Sequence, residues 1–508
     1  MTWGKTARVA QLLAGPSGGQ PMRALLKSFS GPERLLLALF VLSLPFVNPT
    51  VHGDGVGYYA YVRSLLIDGD LRFENEYLAG NAAFVLRRTD EQGRLRPDTY
   101  TNTGYVFNNH SVGPSLLWAP FLVLTHGVVR GANALEADIP PDGFSWPYLW
   151  TMALTTAGYG FAALWMAFRL ARRYVAERWA LLATLGIWFG SSLPVYMYFN
   201  PAWAHAHSAF TVTVFLWYWQ RTRELRTLRQ WALLGLLGGL MVNVYYPTGV
   251  LLLLPLLDAL GGYWSAWRPR PDLRQVARQF GTHLIFLLVL VVALLPTLIT
   301  RQILFGHPLR TGYADAQLWN WTRPVLWEVL FSAHHGLLSW TPVLLPAIVG
   351  LWWLRKKDRW LGNALGAVFL AYYYVIAAYL HWHGMSSFGN RFFVSLTPLF
   401  VLGLAATLER VAGWFAEPRR AFAVQAGALA LLVVWNAGLI FQWGTRMIPA
   451  REPVVWSEVA RNQVTAVPAR LLETVRSYLF ARDALMEQIE AHDLPPQPPE
   501  ADSQRRPE

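Results

Sequence analysis

Directly after the first long apolar run, the stretch HGDGVGYYAYVRSLLIDGDLRFENEY (52–77) gathers Asp54, Asp68, Asp70, Glu74 and Glu76. Carboxylates placed just outside an apolar run stay solvated while reaching molecules carried in lipid. Asp54 sits between Gly53 and Gly55, and glycines on both sides let a reactant come close to the backbone. A carboxylate so placed can act as a general base on an acceptor hydroxyl; the competing reading is a turn residue after a span. Asp68-Gly69-Asp70 is a D-x-D, a pattern that can hold a divalent cation, but Asp-Gly-Asp also ends helices, and the turn is the preferred reading. Glu74 and Glu76 carry the same two readings, turn residues or carboxylates either of which could assist Asp54.

If the donor is a lipid phosphate, cations must meet the leaving phosphate, because negative charge builds on its oxygen in the transition state. Arg391, in SSFGNR at the outer end of a span, is the leading candidate, since its planar fork suits phosphate oxygens. Arg301, Arg310 and Arg63 are further candidates. Histidines gather in the outer segments: His52, His110, His205, His207, His334, His335, His381 and His383. The His-x-His pairs at 205/207 and 381/383 have a superficial metal-ligand spacing, but Trp203 and Trp382 beside them match an ordinary interfacial belt. Hydrogen bonding from His334, His335 and His110 to phosphate or sugar hydroxyls is preferred, and no metal site is assigned. The substrate-binding candidates are completed by Tyr58 and Glu76.

The elements that must position these groups are helices in a membrane. The chain has 508 residues, of which 54% are hydrophobic, and its apolar residues collect in runs long enough to cross a bilayer. The net charge of +12 comes from arginines clustered between those runs, as orientation signals rather than a nucleic-acid surface. There are no cysteines, so disulfides and thiolate metal sites are excluded. Lys5, Arg8, Arg23, Lys27 and Arg34 place residues 1–33 in the cytoplasm, ahead of an uncleaved anchor.

If Gly113–Val129 crossed, the arginines at 169–178 and 221–229 would both fall outside; if it lies in the interface or re-enters, every later basic cluster is cytoplasmic. The second reading gives about eleven spans over 34–443, a large first outer loop at 52–145 with a short amphipathic helix over Tyr58–Ile67, and an outer tail over 444–508. Within that tail Val459–Glu490 is expected to be helical and amphipathic, and the end Pro-rich and disordered. A break between the fifth and sixth spans, at Asn243–Pro247, is tolerable only where it is buried or lines a cavity.

Four segments carry a family resemblance: GDGVGYYAYVRSLLIDGDLRFENEY, NNHSVGPSLLWAPF, LFSAHHGLLSWTPVLLP and HWHGMSSFGNRFFVSLTP. With them the chain resembles the GT-C superfamily of polyprenyl-phosphate-sugar-dependent glycosyltransferases, which includes the protein O-mannosyltransferases and the lipid A aminoarabinose transferase. The resemblance implies an all-α polytopic membrane enzyme with interface helices in its first outer loop. It further implies an essential acidic residue there, matched by Asp54, and a basic residue before Pro114, for which His110 stands. Gly55 stands where such enzymes often have a second acid, which leaves a partner carboxylate and any divalent cation open. The expected reaction moves a sugar from a polyprenyl-phosphate donor to a hydroxyl of a glycan, lipid or protein, with inversion, on the outer face of a bacterial inner membrane. No cofactor is required. The alternative is a transporter or lipid flippase, which should carry ionisable residues at mid-membrane and two matching halves; the spans here show neither.

Overall fold

The computed structural model describes residues 29–224, 226–267, 272–313 and 315–494. The arginines at 8, 23, 268 and 270, the lysines at 5 and 27, and the Pro-rich end lie outside them. The chain divides at Leu44 and Pro45 into two units. In the first, α1 (Gly31–Ser43) begins at a capping box in which the Ser30 hydroxyl accepts from the Glu33 amide and the Glu33 carboxylate accepts from the Ser30 amide.

The second unit is helical apart from isolated bridges. Its longer helices are α2 (Asp54–Arg63), α3 (Gly113–Asn133), α4 (Trp146–Ala171), α5 (Glu177–Gly190), α6 (His205–Arg221), α7 (Leu228–Val244), α8 (Leu253–Trp267), α9 (Leu273–Ala293) and α10 (Leu295–Phe305). They continue with α11 (Leu344–Leu354), α12 (Arg359–Ala378), α13 (Thr397–Ala412) and α14 (Pro418–Gly444). Among the described residues six helical stretches are long and apolar enough to cross a membrane, and the one ending in α13 is almost wholly enclosed by its neighbours. With lipid outside and no water to exclude between helices, close contact must come from small residues. Gly350 of α11 and Gly403 of α13 meet backbone to backbone, leaving no room for a Cβ.

Polar contacts sort the ends of these helices onto two rims. On one, Arg226 pairs with Asp258 at 2.7 Å, Arg223 with Asp358 at 3.0 Å and Lys357 with Glu409 at 2.6 Å. Those pairs draw together the basic clusters that the orientation rule assigns to one side. The other rim joins the first loop to the segments after α5, α10, α12 and α14. His52 meets Asn200 at 3.0 Å, and Arg301 donates to the Asn108 carbonyl at 2.6 Å. The tail forms three further helices, α15 (Trp456–Val464), α16 (Ala466–Phe480) and α17 (Arg482–Ala491), and docks on the same loop. Glu490 accepts from Asn81 at 2.7 Å, and the Tyr478 hydroxyl donates to the Phe46 carbonyl at 3.0 Å.

These contacts constrain the path. Taking α9 and α10 as one pass, the chain from α4 to α14 makes ten passes and so returns to the rim of the first loop. By length and composition α3 could cross as well. Yet Gly113 packs on Asn243 and Val244 at the start of α3, and after α3 the Gly143 carbonyl accepts from Tyr59 of α2 at 2.7 Å. The chain is therefore on one rim both before and after α3. A cysteine-free chain makes this easy to check. An impermeant maleimide should label Asn102→Cys, Leu135→Cys and Ser457→Cys from one side of sealed vesicles and Lys356→Cys only from the other. Leu135→Cys reacting with the Lys356→Cys side would make α3 a crossing helix.

Candidate active site

Asp54 opens α2, where the unpaired amides of a helix N-terminus favour a negative side chain. Gly53 precedes it at φ +56°, in the left-handed region that a side chain resists, so the glycine sets the turn that aims Asp54 inward. That turn is clamped: the Gly53 amide donates to Asn81 at 3.1 Å, and the Trp203 indole donates to the His52 carbonyl at 3.1 Å. Facing it, Arg391 begins the helical turn that leads into α13, and its Nη1 donates to Asp54 Oδ2 at 2.6 Å. The guanidinium lies 4.5 Å above the Trp203 ring. Arg391 is 12% exposed and Asp54 35%, so the carboxylate is the open side of the pair. Burial alone would raise the Asp54 carboxyl, but the charge and hydrogen bond of Arg391, helped by His110 and His205, together outweigh it and hold the group at about 2.

Two imidazoles flank the pair. Gly57 leaves the space that the His110 ring fills, and a Cβ there would collide with His110 Cδ2. His110 lies against Tyr58 at 4.5 Å between centroids, and its buried Nδ1 has no hydrogen-bond partner. Burial, with Arg391 and Arg301 nearby, lowers His110 to about 4 despite the opposing pull of Asp54, so the ring is neutral at physiological pH. His205 meets Tyr196 and Tyr245 edge to face, also with a buried, unpartnered Nδ1. Tyr58, four residues after Asp54 and so on the same face of α2, lines a cavity of about 450 Å³ with Tyr245, Tyr246, Tyr313, Trp319 and Tyr379. The break expected between α7 and α8 falls at Tyr245 and borders this cavity. Such a volume with aromatic walls and a few polar tips is what a small-molecule site presents.

The structure thus brings Asp54, Arg391, His110 and Tyr58 together. Arg301 stands behind them: fully buried, it donates to the carbonyls of Asn108 and His110 and to the hydroxyls of Tyr61 and Tyr246. With its donors so engaged, it holds the Asn108–His110 strand in place and does not face the cavity. Arg63 and Glu76 are not beside Asp54 either. Nine residues along α2 separate Arg63 from Asp54, about 13 Å at the helical rise. There Arg63 is ion-paired with Asp68 and with Glu76, the latter at 3.1 Å, and donates to the Asp142 carbonyl at 2.9 Å. Asp70 accepts from Ser64 at 2.8 Å and from the Arg72 amide, so Asp68-Gly69-Asp70 closes the end of α2 as a turn. His334 and His335 lie with His383, where burial lowers all three rings, His335 to about 3 and His383 to about 4. Sequence reasoning named His205 and Trp203 only as members of an interfacial belt and did not single out Tyr245, Tyr246, Tyr313 and Tyr379; the run Tyr245-Tyr246-Pro247 at a helix break was the available signal.

No family model matches the chain, and no curated protein sequence matches it. Among solved structures, the crystal structure of ArnT from Cupriavidus metallidurans in the apo state aligns over 91% of this chain and 73% of that one, with a TM-score of 0.47 and 13% identity.

The Arg63 cluster yields a stability test. Burial lifts Glu76 to about 7, against the pull of its hydrogen bonds and of Arg63. A carboxyl raised on folding contributes stability that is complete at low pH and lost as pH climbs from the ordinary carboxylate range through about 7. Between pH 5.5 and 8.5 the detergent-solubilised protein should lose on the order of 1–3 kcal/mol from this group. Glu76→Gln should flatten that part of the melting profile; an unchanged slope would remove Glu76 as its source.

Proposed function

We propose that this chain is a membrane glycosyltransferase of the polyprenyl-phosphate-sugar-dependent class, acting at the rim where the first loop, the Arg391 segment and the tail meet. The observation that carries the reading is the Asp54–Arg391 pair beside an aromatic cavity. A phosphate is a better bidentate partner for a guanidinium than one carboxylate oxygen, so an incoming lipid phosphate takes Arg391 and frees Asp54. Once freed, a carboxylate in this buried setting becomes a stronger base, because the cation that held it at about 2 has turned to the phosphate.

In the proposed step, the acceptor hydroxyl oxygen attacks the anomeric carbon as its proton passes to Asp54. The bond from that carbon to the phosphate oxygen breaks, and the lipid phosphate leaves with the electron pair, neutralised by Arg391. Attack opposite the leaving oxygen inverts the centre. The neutral imidazole of His110 and the Tyr58 hydroxyl supply hydrogen bonds to the sugar, and the cavity rings offer faces for it to stack on. Arg391 is the charged partner of Asp54 where a two-carboxylate site would have a second acid, so this step asks for no divalent cation. The rim geometry and the basic clusters opposite fit an outer-face site in a bacterial inner membrane. Ionisable groups gather at the two rims, and that distribution suits an interfacial enzyme better than a transporter.

Asp54→Asn should cut transfer from a labelled polyprenyl-phosphate sugar by about 10²–10⁴-fold in reconstituted protein. Activity near the wild-type rate would remove Asp54 from the chemistry. Arg391→Gln should both slow the reaction and change its pH dependence. With Arg391 present, Asp54 is ionised across the accessible range, so the unliganded enzyme shows no acid limb from this group above pH 4. Without it, burial dominates, and the acid limb of kcat/KM should move up by at least one unit. Slower turnover with no such movement would separate Arg391 from Asp54.

A further inference from the structure

In the loops around Arg391, outside the lining of the cavity, three imidazoles from two loops converge. One ring nitrogen from each of His334, His335 and His383 lies within 4.8 Å of the other two. The proton position on one of them is set by its surroundings. His335 is fully buried, and its Nδ1 donates to the His383 carbonyl at 2.8 Å, with Ser387 Oγ at 3.3 Å. That bond fixes the proton on Nδ1 and leaves a bare lone pair on Nε2, which is buried and has no hydrogen-bond partner. The Nε2 of His334 is likewise buried and unpartnered. His383 stacks over His334 at 4.0 Å, and its Nδ1 accepts from the Met385 amide at 3.1 Å.

Unsatisfied buried ring nitrogens are rare, and two side by side make a place that a cation would fill. The backbone is also strained toward this arrangement, with His335 at φ +62° and Met385 at φ +57°, values that non-glycine residues seldom adopt. Neutral imidazoles suit zinc and its divalent neighbours, and a tetrahedral ion with bonds of about 2.0–2.1 Å sets its nitrogens roughly 3.3 Å apart, a short closure from the present spacing. Ligation by His383 exchanges the Met385 hydrogen bond for the metal. Glu452 acts electrostatically on His334 and offsets part of the added charge.

We propose that His334, His335 and His383 bind one divalent transition-metal ion, Zn²⁺ being the best match, which pins the Ser332–Gly336 turn to the loop that carries Arg391. The ion is structural, eight residues from Arg391, and its binding does not depend on whether the chain transfers a sugar.

The test is metal content and affinity in the full-length protein, purified in detergent through a tag without histidine. After dialysis against metal-free buffer and addition of Zn²⁺, about one ion per chain should be retained. Co²⁺ should give the visible absorption of a nitrogen-ligated ion, displaced by Zn²⁺. His335→Gln and His383→Gln should each weaken Zn²⁺ binding by at least about 10-fold, while His492→Gln, in the tail, should not. Sub-stoichiometric zinc with no cobalt band in the wild type overturns the site, as does affinity indifferent to both substitutions. Should the variants fail to fold, the wild-type stoichiometry and the rise of its melting temperature with Zn²⁺ over EDTA still decide the matter, and the absence of both refutes the proposal.

Discussion

One ion pair joins the parts of this molecule that chemistry would need together. Asp54 and Arg391 are 337 positions apart, yet their side chains meet at 2.6 Å with the guanidinium buried. A guanidinium withdrawn from water without a partner would cost several kcal/mol, so the pairing constrains both segments at once. Neither partner is left to find its own place. Gly53 and Asn81 aim the carboxylate, Trp203 supports the face of the guanidinium, and Trp203 in turn holds the His52 carbonyl. Loss of either charge would leave the other stranded among aromatic rings.

The same electrostatic logic sorts the whole chain. Arginines and lysines in short clusters collect on one rim and close ion pairs there with acids such as Asp258, Asp358 and Glu409. The acidic first loop, the histidine-rich segments and the tail collect on the other. Between the rims the helices carry almost no charge and pack through glycine, alanine and hydroxyl side chains. The cavity lies where helices are interrupted, at Tyr245 and just before Arg391, because an interrupted helix leaves polar backbone that must line a pocket or be covered.

Much of this was legible in the sequence. The helical class, the tail helices, the break near Tyr245 and the segregation of basic clusters follow from run lengths, helix-breaking residues and arginine placement. Asp54 and Arg391 stood out separately, one by its flanking glycines and the other by its place at a span end. Their contact could not be read, since nothing local links positions so far apart. Arg63 and Arg301 resembled Arg391 as sequence, outside arginines near apolar runs. What distinguishes them is saturation: carbonyls and carboxylates already occupy their donors, and donor occupancy depends on folding. The histidines show a related limit. The i,i+2 spacing at 205/207 and 381/383 drew attention, whereas the rings that converge are two adjacent residues and a third from another loop. Within 205/207, His205 turns to Tyr245 and His207 to Trp118, so that pair faces two different places.

A carboxylate held at about 2 is a weak base, which at first sight argues against using Asp54 to accept a proton. The difficulty dissolves when the pair is treated as a resting state. Without a donor, the salt bridge keeps the carboxylate charged and the buried guanidinium compensated. In the proposed reaction a lipid phosphate would bring its own charge and a geometry better suited to the guanidinium fork, compete for Arg391 and leave Asp54 with burial as its dominant influence, which would strengthen it as a base. Basicity then arises only when the leaving group is in position. Coupling of this kind discourages hydrolysis by stray water, because the base is unmasked by the same contact that seats the donor. On this proposal one well-supported acid would be sufficient, because the regulating partner is a cation that the substrate itself would remove.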